Sequence, residues 1–196
     1  VEFDRILVEE LKKQGHEPVF FVPENFPFKV DYGVDVEYLE GGEAISYAGV
    51  SRWKRMWLSL LREKRRKAWF NSAYKKILDG KCDALIIPTA SFRFARSIIR
   101  TQLKHSPVPI IMLFHGIMEK ERSRFELQAK QCEPYENIHL KVLTFRDEYN
   151  DGNKKNISSL VPPVYTPKEG VVRTSSNERL TIGFFGQFRK EKQLNQ

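Results

Sequence analysis

The residues best suited by type and spacing to do chemistry stand near the end of the chain. Leu180-Thr-Ile-Gly-Phe-Phe-Gly-Gln-Phe-Arg-Lys-Glu-Lys192 is an apolar, strand-like run that closes on a glycine and opens into a basic loop. Gly186 would let backbone approach a phosphate closely, and Arg189 and Lys192 are the cations a diphosphate requires. A strand followed by solvated charges has the same appearance. A second candidate is His115, which with Gly116 ends the apolar run 107–114. An imidazole at the C-terminal end of a strand sits where α/β proteins bind ligands, although a core or turn histidine would look alike. Third, Ser91, Arg93 and Arg96 open a helix after the run 83–88. Amides and two guanidiniums there suit an anionic acceptor; a capping serine beside solvated arginines is the plainer alternative. His16 reads as a turn residue, and His105 and His139 have no constellation. No Gly-rich phosphate loop, zinc ligand set or Ser-His-Asp pattern stands out, so no metal is implied.

The net charge of +8 has an address. Arg52, Lys54, Arg55, Arg62, Lys64, Arg65, Arg66 and Lys67 stand against Glu63 alone, which leaves the rest of the chain near neutral. A local patch of this kind suggests a partner surface. Trp53, Met56, Trp57, Leu60 and Leu61 recur beside it at i, i+3, i+4, i+7 and i+8, an amphipathic stripe. The plain expectation packs that stripe on a sheet and buries the tryptophans. An interfacial helix on anionic lipid is the sharper one. Nucleic-acid binding, for which interleaved tryptophans are suitable, finds no motif to support it.

These residues need elements to hold them. The spacing predicts a helix over 5–14 closed by Gly15, then a buried strand at 18–22. A short strand at 34–39 precedes a long basic helix reaching about residue 78, ended by Asp79-Gly80. Strand 83–88, helix 92–104, strand 107–114, helix 120–131 and the apolar runs 139–144 and 157–161 follow. Strands alternating with helices argue for a Rossmann-like parallel sheet covered on both faces. Segments 17–22, 84–88, 109–114 and 139–144 are expected as neighbours in one sheet. A helix–Gly–strand opening is half a βαβ unit, so a strand ahead of the first helix is expected and is missing from the sequence.

The tail resembles the first strand and loop of the C-terminal domain in retaining glycosyltransferases of the GT-B fold. In that family an apolar strand leads to Gly-Arg and then Glu-Lys-Gly. Here Phe184-Phe-Gly186-Gln187 is followed by Arg189, Glu191 and Lys192; Gln187 replaces the usual arginine and Gln193 the glycine. The resemblance implies that Gly186, Gln187, Arg189 and Lys192 hold the donor's diphosphate. The order of the remaining pieces, including Gly15-His16-Glu17 and Leu160-Val-Pro-Pro163, is similar to the N-terminal domain of the same enzymes. It implies an acceptor-side domain over 1–168, a linker over 169–178, and the start of the nucleotide-sugar domain over 179–196. His115 would then face the acceptor and the transferred sugar.

The expected function is transfer of a sugar from a nucleotide diphosphate sugar to a glycan or lipid-linked acceptor. No cofactor is expected beyond that donor, and the 196-residue piece should be inactive alone. The alternative is a non-catalytic basic α/β module that docks to nucleic acid or anionic membrane. Hydrophobic residues at 41% allow a core, and no apolar run approaches the ~20 residues of a membrane span. A cytoplasmic protein, peripheral at the inner face of the membrane, is expected. Cys82 and Cys132 are expected as idle thiols.

Overall fold

The computed structural model describes residues 2–28, 31–46, 49–150 and 156–162. All belong to one compact unit spanning Val1–Pro163. Helix α1 (Glu2–Lys13) buries Val8. It closes as predicted: Gly15 has φ +84°, its N–H donates to Lys12 O and that of His16 to Leu11 O. This left-handed cap satisfies carbonyls that the helix end would otherwise leave unpaired.

Strands β1 (Val19–Pro23) and β2 (Asp35–Leu39) pair in parallel, with Val19 opposite Asp35 and Pro23 opposite Leu39. Phe20 gathers Phe28 and Tyr32 around it, at ring separations of 6.0 and 5.1 Å. The aromatic richness of residues 24–34 thus covers β1, which is only half-buried rather than the expected core strand.

The long helix α2 (Arg52–Leu78) ends like α1: Gly80 has φ +72°, and Lys81 N–H reaches Lys76 O. After it come β3 (Leu85–Ile87), α3 (Phe92–Ile98), a 3₁₀ turn at Gln102–His105, β4 (Ile110–Phe114), α4 (Arg122–Cys132), β5 (Ile138–Leu143) and β6 (Ile157–Leu160). The four strands form one parallel sheet in the order β3-β4-β5-β6. Ile110, Met112, Ile138, Leu140 and Val142 are fully buried, together with Ala95, Ile98, Phe125, Ala129 and Cys132 of α3 and α4. β4 reads as a continuous apolar run, whereas in β5 the half-buried His139 and Lys141 alternate with buried Ile138, Leu140 and Val142.

Three expectations change. Segment 17–22 does not join the sheet of 85–87, 110–114 and 138–143 but forms a separate pair with β2. Among the described residues β3 stands at the edge of its sheet and is half-buried throughout instead of buried. Helix α3 stops at Ile98 rather than running to 104, because Arg100 and Thr101 turn back on Ser97 O and Ile98 O. The architecture is mixed α/β with parallel strands and helices.

Candidate functional site

The loops that leave β3 and β4 are tied together. Ala90 N–H donates to Leu113 O at 2.8 Å, and His115 Nε2 lies 2.7 Å from Pro88 O. A carbonyl only accepts, so Nε2 carries the hydrogen and the neutral ring keeps Nδ1 as its acceptor. The Phe3 ring at the start of α1 packs edge-on against the imidazole, 4.6 Å between centroids. His115 remains exposed, and Gly116 turns the chain at φ +81°. The histidine is therefore both a clasp across two strand ends and an open polar group at the carboxyl edge of the sheet.

Ser91 stands at the N-cap of α3, but its hydroxyl makes no capping bond; its carbonyl accepts from Phe94 and Ala95 instead. Ser91 opens a seven-residue helix that carries the other two residues of the expected anion site, Arg93 and Arg96. Arg96 is exposed on α3. Arg93 points elsewhere: with Arg52, Arg55, Met56 and Ser59 of α2 it lines an open cleft of about 380 Å³. Two groups that are separate in sequence meet here, and only packing of α3 on α2 could show it.

The basic patch is likewise not uniform. Arg66 is buried, its Nη1 2.5 Å from Glu63 Oε2 and its guanidinium 5.3 Å over the Phe94 ring. Burial lowers its pKa while Glu63 opposes that shift. Arg65 donates to Glu43 O and packs beside Gly42, while Arg62 and Lys67 are half-buried. These four belong to the fold more than to a polyanion surface, because the second half of α2 packs on the domain. Arg52, Lys54, Arg55 and Lys64 stay exposed. Nor is the apolar stripe buried: Trp53 is 81% exposed, Leu60 70%, and Met56 and Trp57 62% each. The buried apolar residues of α2, Phe70, Ala73 and Ile77, come two turns and more further along, and among the described residues nothing covers its first turns.

Comparison with protein-family models, curated proteins and solved structures finds no match to this chain. The functional reading rests on its own residues.

Gly186, Gln187, Arg189 and Lys192 lie outside the described residues, as do the linker 169–178 and segment 179–196. Among the described residues no cluster of His, Cys, Asp and Glu is arranged to hold a metal, and no helix is long and apolar enough to cross a membrane. Both cysteines are free. Burial pushes the Cys132 thiol up to about 11; burial first, then the Asp83 charge, raises Cys82. Both are poor nucleophiles at neutral pH.

Proposed function

We propose that this chain is the acceptor-side part of a glycosyltransferase that moves a sugar from a nucleotide diphosphate sugar to a glycan or lipid-linked acceptor. The supporting observation is His115, which the Pro88 carbonyl fixes at the C-terminal end of β4, on the edge where parallel sheets bind ligands. Its free Nδ1 would take the proton of the acceptor hydroxyl as that oxygen bonds to the sugar carbon and the sugar–phosphate bond breaks. The leaving diphosphate would be stabilised by Lys192 and Arg189, with Gly186 and Gln187 bringing backbone and amide close to it.

The test is titration of a nucleoside diphosphate into the full-length protein. Lys192→Ala is expected to weaken binding by roughly 1.5–3 kcal/mol, the loss of a charge-assisted contact. An unchanged affinity removes Lys192 from the site, and no affinity in the parent protein removes the function.

A further inference from the structure

The face of α2 that no part of the described fold covers has two adjoining halves of different chemistry. At ~100° per residue, Trp53, Met56, Trp57 and Leu60 share one face of the helix, and Arg52, Arg55 and Ser59 share the face beside it. Met56 lies on the border and also lines the cleft. Lys54 falls on the far side of the tryptophans, so cations flank the apolar stripe on both sides. Arg93 of α3 adds a third guanidinium to the cleft.

None of Arg52, Lys54, Arg55 and Arg93 has an acidic partner among the described residues. Arg55 makes one weak bond to the Val50 carbonyl, at 3.4 Å. The second half of the same helix looks different. There Arg66 has Glu63, and Lys75 and Lys76 have Glu40 and Glu37. Arg52, Lys54 and Arg55 thus lie, without acidic partners, in the part of the helix whose large apolar side chains are also uncovered.

We propose that this face docks on an anionic phospholipid bilayer. Trp53, Met56, Trp57 and Leu60 enter the headgroup region, and Arg52, Arg55 and Arg93 hold a lipid phosphate in the cleft. Burying tryptophan and leucine supplies the apolar contribution, and tryptophan is suited to the depth where headgroup meets acyl chain. Guanidiniums match phosphate oxygens in a paired geometry and lose less on partial dehydration than ammonium groups. Nucleic acid fits less well: a stacking surface needs rings set apart along a groove, whereas Trp53 and Trp57 are i, i+4 neighbours in one contiguous apolar stripe that Met56 and Leu60 complete. The inference does not depend on the sugar-transfer reading, because neither His115 nor the 180–192 segment takes part.

Vesicles of phosphatidylcholine alone, and with about 30% phosphatidylglycerol, test this by cosedimentation with the 196-residue chain. Binding is expected only to the anionic vesicles, falling as salt rises from about 0.05 to about 0.5 M. A triple Arg52→Gln, Arg55→Gln, Arg93→Gln variant should bind on the order of a hundredfold more weakly, at about fivefold per charge. Lipids brominated on the acyl chains should quench tryptophan emission, and Trp53→Phe with Trp57→Phe should remove the quenching while Trp69 still emits. All five side chains are exposed, so far-UV circular dichroism and the unfolding midpoint should not change. Millimolar glycerol phosphate should fail to displace the vesicles; full displacement would mean a soluble phosphate ligand and overturn docking. Equal binding to neutral vesicles, emission that bromine does not quench, or single-stranded RNA binding without vesicle binding would also overturn it. So would a dimer that Trp57→Ala converts to monomer and that ignores vesicles.

Discussion

Arg66 and Glu63 form an ion pair one helical turn apart, 2.5 Å between Nη1 and Oε2, with the arginine buried and the glutamate at the margin. Ser97 joins them, donating to Glu63 Oε1 at 3.0 Å, so the pair fastens α2 to α3. Removing the acid leaves a guanidinium enclosed without its counter-charge. Glu63→Ala should therefore cost about 1–3 kcal/mol. Arg66→Met, which removes the buried charge itself and keeps contact with Phe94, should cost less. Urea unfolding of the two variants checks the order; equal losses would mean that packing rather than charge decides.

Two glycines separate backbone strain from crowding. At Gly80, with φ +72°, an added methyl meets nothing within 4 Å, so Gly80→Ala should cost only the left-handed conformation, about 1–2 kcal/mol. At Gly41, with φ +136°, the methyl would lie 2.8 Å from Ala68 Cβ and 2.9 Å from Trp69 Cδ1. Strain and overpacking then add, and Gly41→Ala should lose on the order of 2–4 kcal/mol. Denaturant midpoints of the pair measure the difference.

The acid limb of stability should depend on Glu37. Lys76 first, then Lys81, holds its carboxyl below the usual carboxylate range. A depressed carboxylate contributes stability that is present above its unfolded pKa and is lost as pH falls through the folded one. Glu37→Gln should accordingly lower stability at neutral pH and flatten the decline on acidification. Unfolding midpoints taken from pH 7 down through the carboxylate range would read this; parallel profiles would refute it.

The thiols give a protection experiment. Cys132 is buried with its pKa pushed up to about 11, so a maleimide at pH 7 should label Cys82 first and Cys132 only as fast as the fold opens. A raised thiol pKa acts with the opposite sign to Glu37: its contribution is present below the unfolded thiol pKa and is lost as pH rises toward about 11. Labelling of Cys132 at the rate of Cys82 in the native protein would contradict the burial.

What could be read from the residues was whatever is local. The end of α2 at Asp79-Gly80 and the cap at Gly15 follow from chain-neighbour chemistry, and the structure has them there. The apolar run at 110–114 and the alternating segment at 138–143 lie side by side as expected. What escaped is whatever depends on a second element. Arg66 looks like any other basic residue of its run until Phe94 and Ser97 are brought over it. The cleft needs Arg93 from α3 beside Arg52 and Arg55 from α2, and no spacing within either helix encodes that meeting. Likewise a stripe such as Trp53, Met56 and Trp57 has the same period whether a sheet covers it or not.

The β3-β4-β5-β6 order puts each strand beside its immediate successor in the chain. Every ladder is then closed by the next segment to be synthesised, and none waits for a distant partner. The sheet can grow one strand at a time as the polypeptide leaves the ribosome, with α3 made before β4 and α4 before β5. On that route the order of translation and the order of assembly would coincide, which would keep the edges of β4 and β5 exposed only briefly.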